Sequence, residues 1–264
     1  MGSATREALA ASRQALTSSG LSNLATAEDL FSAGRVIGSS AQLSAMLLET
    51  ATDAARKSQI LQAVFGSSLQ ISTLGLLATV VSHRWSDSDD LLAGVEELGL
   101  RTAAKSAPAT VNIGAELFGF STAVSSNSEL ELAVSSKLGG PGSRAALVEA
   151  LLVKKVSTQT LAIVRHLVQQ PRGRRVGELL RTAAAIVADE AGLFVATISS
   201  ASPIASAQLE RLHQSLAVRF GRPLTFNLVV DPGLIGGLRV QVGDTVIDDS
   251  VASKLKDLRL KLAS

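Results

Sequence analysis

From residue 4 to about residue 192, apolar positions return every three or four residues, the spacing of helices buried along one face. Short breaks rich in Gly, Ser and Asp separate the runs. Ile60, Leu61, Val64 and Phe65 form one stripe, and Leu74, Leu77, Val80 and Val81 form the next. Gly66-Ser67-Ser68 and Ser86-Asp87-Ser88-Asp89 have the turn chemistry expected between packed helices.

The pattern repeats. A displacement of 87 positions lays Leu30-Phe31 on Leu117-Phe118, Leu43 on Leu130, Ala63 on Ala150, Thr73-Leu74 on Thr160-Leu161, Val81 on Val168 and Leu92 on Leu179. The stripe Ile60, Leu61, Val64, Phe65 falls on Leu147, Val148, Leu151, Leu152 without a gap. Residues 25–100 and 112–187 therefore read as duplicated helical units. The first is preceded by an amphipathic helix over Thr5–Leu16 that ends near Gly20. The second follows Lys105-Ser106-Ala107-Pro108, and Pro108 breaks a helix. The second copy thus either lacks an equivalent first helix or recruits the end of the preceding one.

After residue 192 the period changes to two. Phe194, Ala196 and Ile198 alternate with Val195, Thr197 and Ser199, which predicts a strand. Leu209, Leu212 and Leu216 share a helix face closed by Gly221. Leu224, Phe226, Leu228 and Val230, then Leu238, Val240 and Val242, predict two further strands, punctuated by Asp231-Pro232-Gly233 and Gly236-Gly237. Ser250 can cap a last helix carrying Val251, Leu255, Leu258 and Leu262. The expected class is α+β: a helical bundle over 1–107, a second helical unit over 108–192, and a small α/β domain over 193–264.

Composition narrows the chemistry. Apolar residues are 46% and aromatics 3% of the 264, with no Tyr and one Trp, as suits Ala- and Leu-filled helix packing. The sequence pI is about 9.1, yet 25 basic residues against 23 acidic give a net charge of only +2, which generates little long-range field. Basic clusters at Arg172, Arg174, Arg175 and at Lys254, Lys256, Arg259, Lys261 have no interleaved aromatics and read as solvated surface, with no nucleic-acid role. With no cysteine, disulfides and thiolate metal sites are excluded. Arg6 and Glu7 interrupt the start before an apolar run develops, so no signal peptide is expected. Ile71–Val81 is the best apolar stretch and is too short to span a bilayer.

Sites for covalent chemistry are not expected. Gly139-Gly140-Pro141-Gly142-Ser143 is Gly-rich but lacks the Gly-Lys-Ser/Thr ending of a phosphate loop and falls on an ordinary helix-to-helix turn of the duplication. His83, His166 and His213 have no metal-ligand spacing and read as surface or half-buried structural residues. Asp89-Asp90 and Glu96-Glu97 read as helix-start or solvated acids. No catalytic set, cofactor or metal is called for.

One segment is position-specific. The run from Asp231, Pro232, Leu234, Ile235, Gly236 and Gly237 through Gly243, Asp244, Asp248 and Ser250 resembles the C-terminal signature of the delta subunits of F-type ATP synthases, whose mitochondrial counterpart is the oligomycin-sensitivity-conferring protein. Asp249 departs from it, standing where that family usually has Gly. Arg6-Glu7-Ala8-Leu9-Ala10 sits where the family has its first helix, Leu117–Leu180 is similar to the later helices of its bundle, and the duplicated unit is similar to long actinobacterial forms.

The resemblance implies a non-catalytic stator protein at the cytoplasmic face of a bacterial membrane, present once per complex. Its helices would grip N-terminal segments of the alpha subunits, and its C-terminal domain would hold the b-subunit stalk. Carried onto this sequence, Leu9, Arg13 and Leu16 beside Leu74, Leu77 and Val81 would frame one groove, and Leu161, Val164 and Val168 another. Val251, Leu255, Leu258 and Leu262 would meet the stalk. The alternatives are a helical-repeat adaptor for some other complex and, more remotely, a serine hydrolase.

Overall fold

The structure is a computed structural model that describes residues 2–135 and 140–249. Five helices come first: α1 (Ser3–Ser19), α2 (Leu24–Ser39), α3 (Ala41–Leu48), α4 (Ala54–Phe65) and α5 (Ile71–Ser82). The long α6 (Ser88–Lys105) leads into α7 (Ile113–Ser125), α8 (Ser128–Ser135), α9 (Pro141–Leu152), α10 (Thr158–Gln169) and α11 (Val176–Glu190). The tail is β1 (Phe194–Ser200), α12 (Ser206–Phe220), β2 (Leu224–Val230), β3 (Leu238–Val242) and β4 (Thr245–Asp248). The chain divides into two compact units, Met1–Ile186 and Val187–Ser264.

Helix starts follow from side-chain caps. Asn23, Ser40, Asp53, Asp87, Asn112 and Ser157 each accept the backbone N–H three residues on, at 2.7–3.2 Å, which satisfies a donor the helix itself cannot. Gly20 (φ 66) and Gly221 (φ 70) end α1 and α12 in the left-handed conformation that a side chain would resist.

The duplication is visible in the elements themselves. Helices α3, α4 and α5 recur as α8, α9 and α10 with both ends moved by 87, from 41, 54 and 71 to 128, 141 and 158. One polar device recurs at the same displacement. In the first copy the Asp29 carboxylate on α2 accepts the Gln70 N–H that opens α5 and the Thr73 hydroxyl, both at 3.0 Å. In the second, Glu116 on α7 accepts the Ser157 N–H and hydroxyl and the Thr160 hydroxyl at the start of α10. A carboxylate from one helix thus fastens the positive end of another.

The second copy recruits a first helix from the first copy. Displacing α1 by 87 gives 90–106, which coincides with α6 (88–105) to within two residues at each end, and α6 packs against α10 as α1 packs against α5. Serving both copies, α6 is buried nearly all round, from Leu91 to Ala103. Two glycines let neighbours close on it. A Cβ at Gly94 would lie 2.2 Å from the Trp85 ring, and one at Gly99 would lie 2.4 Å from that of Phe31.

In the second unit the strands lie in the order β2-β1-β3-β4. β1 and β2 are parallel and joined through α12, while β3 runs antiparallel to β1 and β4 antiparallel to β3. Ala196, Ile198, Val240 and Val242 pack with Leu216 and Leu224 into a separate core. The short β4 is a strand beyond those the alternation predicts. It turns back at Gly243, whose φ of 56 suits the reversal. The helix expected after Ser250 lies outside the described residues.

The paired carboxylates give the first test. Asp29→Ala and Glu116→Ala should each lower the unfolding free energy by about 1–2 kcal/mol, read from urea midpoints, because each leaves the backbone and hydroxyl donors at a helix N-terminus without their carboxylate acceptor. A silent substitution in one copy would show that the two copies do not share this device.

Candidate functional site

The apolar residues expected to frame partner grooves serve the interior. Leu9, Leu16, Leu74, Leu77 and Val81 are buried in the core of the first copy, and Val164 and Val168 are buried in the second. Leu161 is half-buried. Arg13 is exposed, and its Nε meets Glu97 Oε1 at 2.6 Å. What α1 and α5 leave outside includes small and polar positions (Ala10, Gln14 and Thr17 on α1; Gly75 and Thr79 on α5), the charged Arg6, Glu7 and Arg13 of α1, and Ile71, 88% exposed at the start of α5. Ile71 was legible only as the end of the most apolar stretch in the chain. Its exposure depends on which way α5 rolls.

Between the two helical copies lies a charged seam. Glu96 on α6 is buried, and its carboxylate takes Arg172 Nη2 at 2.9 Å and Arg174 Nη2 at 2.8 Å. His166 on α10 is 1% exposed and stacks on Phe31 of α2, with ring centroids 4.2 Å apart. Arg35 Nη1 lies 3.4 Å from His166 Nδ1. A guanidinium can only donate, so Nδ1 accepts and the ring proton sits on Nε2. That atom faces Glu96 Oε2 at 3.4 Å, an electrostatic approach without hydrogen-bond geometry. Arg165 to Glu28 at 2.5 Å and the Gln170 amide to the Gly34 carbonyl at 2.9 Å extend the seam.

These contacts correct three expectations. Arg172 and Arg174 are not solvated surface, Glu96-Glu97 are not a solvated pair, and His166 is fully buried. The cause is the shared α6: enclosed from both copies, it carries its acids inward, and buried charge requires partners. Arg172 reaches Glu96 from a turn held at φ 48.

The seam sets two ionisations. Burial alone would raise the Glu96 pKa, but the imidazole edge and the guanidiniums of Arg172 and Arg174 outweigh it and hold the carboxyl below its ordinary value. Burial also dominates His166 and holds it below the ordinary imidazole value, against the pull of Glu96 and with Arg35 and Arg172 adding to the effect.

In the second unit the signature residues build a turn. Asp231 N–H donates to the Ser200 carbonyl at 2.8 Å, and the Asp231 carboxylate accepts the Gly233 N–H at 2.9 Å. Pro232, Asp244 and Asp248 are exposed, Leu234 is half-buried and Ile235 is 73% exposed. Gly236 (φ 81) and Gly237 (φ 84) are both left-handed and, with Ser200, Arg211 and Leu212, line a cleft of 620 Å³. Ser250, Val251, Leu255, Leu258 and Leu262 lie outside the described residues. Among the described residues no group of three His, Cys, Asp or Glu is placed to hold a metal, and Gly140-Pro141 simply opens α9.

A family model described as ATP synthase delta (OSCP) subunit matches residues 99–262. The chain is 53% identical over 264 residues, covering all of both chains, to the ATP synthase subunit delta of Leifsonia xyli subsp. xyli. It is 35% identical over 271 residues to that of Streptomyces coelicolor, covering 100% of this chain and 99% of that one. A chain of the Toxoplasma gondii mitochondrial ATP synthase hexamer overlays on 64% of this chain and 96% of its own with a TM-score of 0.40 at 18% identity.

The seam makes stability sensitive to acid. The folded chain holds the His166 proton less tightly than the unfolded chain, which takes it up near pH 6.5, so stability falls as pH drops through this region and is level above it. Between pH 7.5 and 5.5 the slope from this group should be positive and bounded by about 1.4 kcal/mol per pH unit, and His166→Gln should flatten it. Glu96→Gln, which leaves two guanidiniums without their anion, should cost about 3–5 kcal/mol at neutral pH in the same urea assay.

Proposed function

We propose a two-ended bracing role for this chain, which belongs to the ATP synthase delta (OSCP) subunit family. It is a non-catalytic peripheral-stalk subunit of the F-type ATP synthase. The observation that carries this is kinship along the whole length: the 53% identity covers every part of the chain, both helical copies and the tail.

The finer assignment is ours. The helical unit grips N-terminal segments of the alpha subunits, and the α/β unit holds the b-subunit stalk, one copy of the chain serving each complex. This reading is supported by two units with separate cores, since a tie that resists torque needs two rigid ends. The α1–α5 face carries the first contact. Its small residues allow a helix to lie close, and Ile71 offers an apolar anchor at one end. The division at about residues 107 and 192 is part of the proposal: the first copy presents the α1–α5 face, the second presents α10 beside Leu161, and the tail meets the stalk. No described helix is long and apolar enough to cross a membrane. The chain reaches the cytoplasmic face of the membrane through its partners.

Deleting residues 193–264 should leave a helical fragment that binds a synthetic alpha N-terminal peptide and loses the b subunit. Retained b binding would refute the division of labour. In the full chain, Ile71→Asp should weaken the alpha peptide at least tenfold without lowering thermal stability, because the side chain is already in water.

A further inference from the structure

We propose that the cleft between α7, α8 and α9 receives an amphipathic helix from a partner chain, with carboxylates at the end that meets Lys154 and Lys155. The cleft measures 410 Å³ and is walled by Gly119, Phe120 and Ala123 from α7, Leu130 from α8, and Leu151 and Leu152 from α9. That volume is in the range that takes up several side chains of a ligand. The acid at its edge, Glu116, is already engaged with Ser157 and Thr160, so the walls offer mainly hydrocarbon.

The first helical copy serves as an internal control. At the same displacement of 87, Leu152 and Val156 replace Phe65 and Leu69, which are 2% and 9% exposed and belong to the core of the first copy. The second copy thus holds a shorter side chain at each place. Gly119 adds to the opening, since a Cβ there would meet nothing within 4 Å. Val153, 49% exposed, extends the apolar surface just past α9.

Both shape and charge select the occupant. The walls are helices with no free strand edge, so an extended segment would gain no backbone pairing there, while a helix can seat side chains at i, i+3 and i+7. At one end, Lys155 lines the cleft and Lys154 is held at φ 63 beside it. Both are exposed, and neither ammonium makes an ion pair or hydrogen bond among the described residues. Two unneutralised cations at one end of an apolar groove fit acidic residues at one end of an amphipathic helix. This inference is independent of which synthase subunit the α1–α5 face holds.

The test uses the full-length protein and two fluorescein-labelled peptides of about 20 residues, a helix length near 30 Å. Both carry Leu at i, i+3 and i+7, and one ends in a Glu pair where the other ends in a Lys pair. Fluorescence anisotropy should show the Glu peptide binding at least tenfold more tightly, an advantage that shrinks with added salt. The double variant Lys154→Glu, Lys155→Glu should reverse the preference. Gly119→Leu or Ala123→Phe, which fill the cleft from exposed positions, should remove binding of both peptides. The proposal is overturned if neither peptide binds, if charge reversal leaves the preference unchanged, or if the filling substitutions leave affinity intact in variants whose thermal stability equals the parent's. The lysine variant alters only surface side chains and remains decisive should a filled variant misfold.

Discussion

A carboxylate taken out of water must be met by positive charge, and Glu96 sets that requirement at the middle of the helical unit. Its oxygens draw Arg172 and Arg174 inward from the turn after α10, and its field orders the neighbouring His166. The desolvation this incurs is large enough that such a cluster contributes little net stability over apolar packing. Its effect is on uniqueness of fit. Two nearly equivalent helical repeats could slide or re-pair through generic Leu contacts, and one buried ionic set fixes a single register.

Repetition and asymmetry are therefore tied together. The pairs α3/α8, α4/α9 and α5/α10 keep their spacing to the residue, and each copy fastens its fifth helix by the same carboxylate-to-N-terminus device. Economy breaks the symmetry: one helix, α6, closes the first copy and opens the second. Where α1 brings Leu9 to its neighbours, α6 brings Glu96, so the second copy is built around a charge where the first has an aliphatic side chain. The two copies cannot then present identical surfaces, and the cleft beside Phe120 is one place where they diverge.

Much of this was legible in the sequence because it is local. Helical stripes and the alternation of the tail each depend on residues a few positions apart, and the 87-residue displacement is a comparison of such local patterns with one another. The seam was not legible because its members are scattered from Glu28 to Arg174, and each alone resembles ordinary solvated or half-buried chemistry. The expected groove residues illustrate a second reason. A stripe such as Leu74, Leu77 and Val81 records which face of a helix is apolar, without recording whether the chain's own core claims that face. Here the core claims it, and the large apolar side chain left in water on α5 is Ile71, a position that no periodicity singles out.

Phe31 is met by the bare backbone at Gly99 and by the imidazole plane of His166. The three positions form an evolutionary ratchet. Adding so much as a methyl at residue 99 is barred while the phenyl remains, and shrinking the phenyl first would strip the imidazole of its support and open a void beside a buried acid. Lineages can alter any one of them only through paired replacements, so these sites should drift together across relatives or scarcely at all.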